Sequence, residues 1–346
     1  MSTPIISLCM IVRNEEDSIG RCLDSAARLA DEIIIVDTGS NDQTVQIAKD
    51  YGATVLSYTW NDHFADARNY GIKHAAGEWI LWLDADEELD TSSIPVIREA
   101  ISQVKAQFIL LPLHHYVGEE LPADPDQLFL SYQARLFRNH AGIQFSNRIH
   151  ETPQPTKDAE EIKIEYVKAP IHHYGYLKQI EAKKEKSARN IKLLKAANAE
   201  TPNDPWVRYH LASEYYRTED YPNAYEHIND AIFLFLQRQS LPPSLAYRLK
   251  YAILQAAGSQ SELLQGIDKV LTIYPDYVDF HFTKGRLLYD LGRHEEAAKS
   301  FSTCLELGED HPEHLIQKGT GSFLADDYLK KIKKAEKEKV NTYTKR

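Results

Sequence analysis

The stretch ILWLDADEEL, residues 80–89, decides how the first half of this chain folds and where its chemistry sits. The apolar run Ile80 to Leu83 is what a strand buried on both faces requires, and it ends abruptly in Asp84, Ala85 and Asp86. Side chains alternate along an extended backbone, so carboxylates at i and i+2 point the same way and can share a hard divalent cation and its diphosphate ligand. Such a pair also arises by accident. Acidic residues after a strand are ordinarily helix caps or solvated loop residues, and that plain account is the expectation for Glu87 and Glu88.

Outward from this strand, short apolar runs alternate with amphipathic stretches from Ile5 to about Val117: IISLCMIV, then DSIGRCLDSAARL, EIIIVD, QTVQIAKDYG, ATVLSY, ADARNYGIKHAA, SIPVIREAISQV and QFILLPL. That rhythm predicts a parallel sheet covered by helices, whose ligands bind beyond the carboxyl ends of the strands. Polar residues that close each run are therefore the ones to inspect. EIIIVDTGSNDQT, residues 32–44, ends a strand at Asp37, which can accept hydrogen bonds from a nucleobase N–H or ribose hydroxyls; Ser40 or Asp42 is expected to cap the next helix. MIVRNEEDSIG, residues 10–20, ends similarly, with Arg13 placed to meet a phosphate or base and Asn14 to Asp17 starting a helix.

From Gly118 to Tyr176 the pattern changes to isolated strand-like pieces, LSYQARLFRN, IQFSNRIHE and IKIEYV, which predict an antiparallel extension over one side of a site. Beyond Tyr176 the chain reads as helical. Gly258 and Gly292 lie 34 residues apart, and Leu254 with Leu288, Leu263 with Ala297, Ile267 with Phe301 and Leu271 with Leu305 share that register. This is the tetratricopeptide period. An earlier copy fits on Leu211, Ala212, Tyr215, Tyr221, Ala224, Ile228 and Ala231, with about five extra residues around SLPPS. Small residues Ala212, Gly285, Ala224 and Ala297 are expected where paired helices cross. The resulting organisation is an α/β domain over 1–176, a linking helix over 177–204, helical repeats over 205–330 and a basic tail over 331–346.

The bulk composition narrows the function. A net charge of −11 over 346 residues argues against a nucleic-acid footprint, which needs a basic face. Cys9, Cys22 and Cys304 offer neither a disulfide framework nor a zinc site, and no stretch has the form of a signal peptide or an integral membrane segment. The expectation is a cytoplasmic protein. Its lysine-rich end reads as a solvated last helix.

In their order and spacing, the segments VRNEE, DEIIIVDTGSNDQT, FADARNYG and WILWLDADE resemble glycosyltransferase family 2, whose fold is the Rossmann-like GT-A type of nucleotide-diphospho-sugar transferases. The match is closest to the subgroup that carries an all-α tetratricopeptide-repeat domain after the catalytic one, which includes bacteriocin S-glycosyltransferases. The resemblance implies an inverting transferase that moves a sugar from a nucleotide-sugar, UDP-sugar by preference, to a peptide, glycan or lipid-linked saccharide. By it, Val12, Arg13, Asn14, Glu15 and Asp37 contact the nucleoside, Arg68 and Asn69 line the same pocket, and Asp84 and Ala85 lie against the ribose or metal. Asp86 binds Mn2+ or Mg2+, which neutralises charge on the departing diphosphate.

An inverting displacement needs a base toward the acceptor, and FSNRIHE offers Glu151 first and His150 second. QARLFRN would bring Gln133 and Arg135, on one face of a strand, toward the diphosphate, with Arg138 off that face. Adjacent histidines in IHHYGY diverge, so one faces the site; His172 is preferred over His173 as a metal ligand. The chain has QARLF where processive synthases carry QxxRW, so a processive role is not expected. Two other classes compete with this reading. A protein-binding adaptor with an inactive α/β domain is disfavoured by the intact set Asp37, Asp84, Asp86 and Glu151, and a nucleotidyltransferase by the absence of glycine in VRNEED. The repeats are expected to bind acceptor or to form a homodimer.

Overall fold

The computed structural model describes residues 5–156, 162–178, 186–258 and 260–343, with side chains left out at 260, 261 and 339–343. Residues 179–185 of the expected linking helix and 344–346 of the expected tail lie outside the described residues. The chain divides into two compact units, one of residues 1–124 and 131–194, the other of residues 125–130 and 195–346. The division falls inside a helix, Lys186–Glu200, rather than at either of its ends.

The first unit is built on strands β1 (Ile6–Val12), β2 (Glu32–Asp37), β3 (Thr54–Ser57), β4 (Trp79–Trp82), β5 (Glu87–Leu89), β6 (Phe108–Gly118), β7 (Leu128–Arg138), β10 (Ile164–Tyr166) and β11 (Ile171–Leu177), with β8 (Ile143–Ser146) and β9 (Thr152–Pro155) as a separate antiparallel ribbon. Its sheet runs in the order β3-β2-β1-β4-β7-β6-β11-β5, with β10 also beside β6. β3, β2, β1 and β4 are mutually parallel, as the alternating runs require, and β7 joins β4 antiparallel. Alternate residues of these strands feed two cores. Ile6, Leu8, Met10, Val12, Ile35, Trp79 and Leu81 pack on helices α1 (Ile19–Ala26), α2 (Thr44–Asp50) and α4 (Ile94–Gln103), whereas Cys9, Ile34, Ile80 and Trp82 pack on the side of α3 (Phe64–Ile72). Burial on both faces is why these strands read as unbroken apolar runs.

A strand that periodicity did not separate from loop is β11. It runs parallel to β6, with Ile171, His172 and His173 opposite Leu113, His114 and His115, and antiparallel to β5 through Ile171–Leu89, His172–Glu88 and His173–Glu87. Two copies of an apolar-His-His-Tyr tetrad, 113–116 and 171–174, thus lie side by side.

The second unit is helical. Its helix pairs are α6 (Pro205–Arg217) with α7 (Tyr221–Gln237), α8 (Ser244–Ala256) with α9 (Gln260–Ile273), and α10 (Val278–Asp290) with α11 (His294–Leu307); α5 is the helix Lys186–Glu200 that the division cuts, and α12 (Phe323–Tyr343) ends the series. Ser244 and Val278, which open two successive pairs, are 34 residues apart. Gly258 and Gly292 occupy the turns within their pairs at φ +77° and +73°, where a side chain would be strained. Ala212, Ala224 and Ala297 are fully buried, and a Cβ on Gly285 would lie 2.7 Å from the Phe301 ring. Gly285→Val is accordingly expected to lower the stability of the helical unit by about 1–3 kcal/mol through overpacking, read as a lower midpoint in urea unfolding. Ile332 is buried, so packing continues past the start expected for a solvated tail. Among the described residues no helix is long and apolar enough to cross a membrane.

Candidate functional site

Val12 and Asp37 close β1 and β2 as register partners, side by side at the carboxyl edge of the parallel strands. The two loops that follow are laced together. Asn14 accepts from the Asn41 N–H at 2.9 Å and donates its own N–H to Ser40 Oγ at 3.0 Å; Glu15 N–H donates to Thr44 Oγ1 at 2.7 Å. Asn14 sits at φ +55°, a conformation Asn tolerates better than most residues. Ser40 therefore does not cap the next helix, while Asp42 Oδ1 does accept the Thr44 N–H at 2.9 Å. Asp37 accepts from the Ser40 N–H at 3.0 Å and closes its own turn. Arg13 is exposed at the same edge.

Immediately after β4 the chain turns through Asp84, Ala85 and Asp86 into β5, and this turn is the centre of the site. On one side Asp84 Oδ1 accepts from Arg68 Nη2 at 2.7 Å, and Arg68 Nε donates to Glu151 Oε1 at 2.6 Å. Arg68 lies over the Trp82 ring at 4.6 Å and is nearly buried. Burial alone would raise the Asp84 carboxyl, but Arg68 and then Arg135 outweigh it and hold Asp84 below the ordinary carboxylate range. Helix α3 thus carries a guanidinium that joins the β4 turn to the loop between β8 and β9. Arg68, Asp84 and Glu151 thus meet at this turn, a grouping that the separate expectations for a nucleoside pocket, a ribose or metal contact and an acceptor-side base did not include. His150 neighbours them in sequence at φ +54°.

On the other side Asp86 is buried, with Oδ1 3.6 Å from His173 Nε2 and Oδ2 3.1 Å from Lys186 Nζ. A Cβ on Gly175 would lie 2.6 Å from both Asp86 Oδ2 and His173 Nε2, so a side chain there would push this pair out of place. His173 Nδ1 meets His115 Nδ1 at 2.9 Å, and His115 Nε2 meets Ser131 Oγ at 2.8 Å. Burial holds His173 below the usual histidine value despite the attraction of Asp86, which keeps the imidazole neutral near pH 7.

Several expectations are corrected. His172, preferred as the metal ligand, points to the opposite face of β11, where its Nδ1 meets the Tyr116 hydroxyl at 2.9 Å; alternation sends His173 instead to Asp86. Arg135 does not reach outward to a phosphate. It is 3% exposed, stacks on Trp82 at 3.8 Å and is ion-paired with Glu87. Glu87, expected as a cap or a solvated residue, is 1% exposed and accepts the Asp84 N–H at 3.0 Å, which shapes the turn. Asn69 does not line a pocket either: its amide donates to Phe145 O and accepts from Phe145 N, both at 2.8 Å, tying α3 to β8. Gln133 is half-buried on β7, and Ala85 is buried beneath the turn. The residues that sequence reasoning missed are His115, Ser131, Gly175 and Lys186. The doubled apolar-His-His-Tyr tetrad pointed to His115; nothing distinguished Lys186 within its lysine-rich segment.

The donor set at the turn suits a hard divalent cation. Among the described residues no three His, Cys, Asp or Glu side chains form a ready cage. Asp86, with Asp84 on the same turn and the His173 imidazole facing it from β11, offers the one or two carboxylates and a nitrogen that Mg2+ or Mn2+ takes when phosphates and water complete its shell. Arg68 Nη1 adds a buried donor with no hydrogen-bond partner among the described residues.

The profile described as Glycosyl transferase family 2 matches residues 7–158. A TPR repeat-containing protein of Synechococcus elongatus is 32% identical over 281 residues, 79% of this chain and 67% of that protein. SPbeta prophage-derived glycosyltransferase SunS of Bacillus subtilis is 27% identical over 302 residues, 83% of this chain and 67% of SunS. Among solved structures, S. aureus TarS 1-349 in complex with UDP-GlcNAc is 17% identical over 72% of this chain and 87% of that one, at a TM-score of 0.40.

Proposed function

The chain belongs to glycosyl transferase family 2, and from that premise we propose that it transfers a sugar with inversion from a UDP-sugar to a peptide side chain or a saccharide hydroxyl, with a divalent metal. It is a glycosyltransferase whose α/β unit has the GT-A fold and whose helical unit is of the tetratricopeptide type. The observation that carries the proposal is the division of labour at one turn: Asp84 is tied through Arg68 to Glu151, while Asp86, two residues on, faces His173.

In this reading Asp37 and the backbone edge from Val12 to Glu15 receive the nucleoside, and Asp86, Asp84 and His173 hold the metal. When bound, the metal supplies Lewis-acid charge neutralisation to the diphosphate. His115 and Ser131 fix the orientation of His173, since a hydrogen bond at Nδ1 leaves Nε2 free to face Asp86. Arg68 orients Glu151 through Oε1. The other carboxylate oxygen of Glu151 takes the acceptor proton as the acceptor atom bonds to the anomeric carbon; the anomeric C–O bond breaks and its electron pair leaves with the nucleoside diphosphate. The helical repeats bind the acceptor or pair two copies of the chain. Three buried, unbridged cysteines suit a reducing compartment, and we place the reaction in the cytoplasm.

Calorimetric titration of UDP, GDP and CDP, with and without Mn2+, tests the donor and the metal: UDP binding that requires Mn2+ supports both, and no nucleotide binding would sink the proposal. Glu151→Gln keeps an acceptor for Arg68 but cannot take a proton. It is expected to bind UDP as the wild type does while kcat falls by about 10²–10⁴-fold. Wild-type turnover in that variant would remove Glu151 as the base.

A further inference from the structure

We propose that Lys186 is the resident counter-cation of Asp86: it holds that carboxylate in the donor-free enzyme, is displaced when a divalent metal binds, and then turns to the donor diphosphate. The inference rests on the assignment of Asp86 to the metal. Lys186 Nζ lies 3.1 Å from Asp86 Oδ2, whereas His173 approaches Oδ1, and the lysine side chain is 21% exposed against 8% for Asp86. A carboxylate this buried needs a positive charge beside it, and the ammonium at 3.1 Å supplies one. Lysine is suited to a temporary role, because its ammonium is a compact charge on a flexible four-carbon stem with three rotatable donors. Its partial exposure leaves it a path out.

A metal ion at Asp86 would meet the ammonium at close range, so the two cations repel and compete for one carboxylate. Without donor, the displaced ammonium gives up this ion pair. A nucleoside diphosphate changes that balance by supplying anionic oxygens for both cations. Metal and donor binding are thereby coupled, each strengthening the other. The enzyme would bind metal weakly alone and firmly with its nucleotide-sugar, and Lys186 would join the metal in neutralising the leaving group.

The test is calorimetric titration of Mn2+ alone, and then of UDP in saturating Mn2+, into the full chain carrying wild-type Lys186, Lys186→Met or Lys186→Arg. Lys186→Met is expected to bind Mn2+ alone about tenfold more tightly than the wild type, and UDP about tenfold more weakly, the scale of one charge-assisted hydrogen bond. Lys186→Arg, which keeps the charge, should follow the wild type. Unchanged affinity of Lys186→Met for Mn2+ alone, or for UDP with Mn2+, overturns the inference while the metal assignment stands, provided the wild type binds UDP with Mn2+. Metal-independent UDP binding by the wild type overturns the assignment and the inference together.

Discussion

Replacing Asp86 by alanine is expected to lower kcat by at least about a hundredfold, the scale for losing one preorganised electrostatic contact to a developing charge. Stability should change by no more than about 1 kcal/mol, because the carboxylate makes no contribution to the apolar core and its removal ends a buried charge. Lys186, partly open to solvent, can turn outward, and His173 keeps its hydrogen bond to His115. Steady-state kinetics beside thermal unfolding separate the two effects. Turnover close to wild type would show that Asp86 holds no metal during the reaction, and a loss of folding in step with activity would make it a structural residue instead. Asp84→Asn should behave differently, because Asp84 is bound to Arg68 and its loss reaches Glu151 as well.

Arg68→Met should have the largest effect on stability. Methionine fills much of the same volume, but the change strips the counter-charge from Asp84 and Glu151 at once and removes the guanidinium stacked on Trp82. Breaking a buried ion pair by removing one partner costs about 3–5 kcal/mol, and the lower end applies here because Asp84 is partly open to water. Lysine is not expected to rescue it, since one ammonium cannot span two carboxylates as the guanidinium fork does.

The loss has a pH signature. Asp84 is held below its ordinary value of 3.8, so the stability it gains in the fold is present above that value and is lost as pH falls through the depressed one. Urea unfolding should therefore show the largest gap between wild type and variant at neutral pH, closing in acid below 3.8. A gap that stays constant with pH would mean that Arg68 acts through packing on Trp82 rather than through its charge.

Much of the site was legible because it lies where strands end. Asp37, Asp84 and Asp86 each follow an apolar run, and a parallel sheet has to present such residues at its carboxyl edge. Arg68 and Glu151 came from the family resemblance, and their meeting through a guanidinium is a tertiary event between residues 83 positions apart. Arg135 and Glu87 misled because a charge in a strand or a loop ordinarily faces water; only the pairing of β7 against β4 and the return of β5 bury them together. The choice between His172 and His173 turned on the register of β11, which is set by β6 and β5 and by no local signal.

The sequence by itself determined the alternation of buried strands and amphipathic helices, the edge at which polar residues gather, and the helical repeat marked by Gly258 and Gly292, since each follows from the period of side chains along a local element. Only the tertiary structure decided which imidazole stands beside Asp86, that Arg135 serves Glu87, and that Lys186 reaches Asp86 across a hundred residues. Those contacts depend on strand register and on long side chains from distant segments, and periodicity carries no information about either.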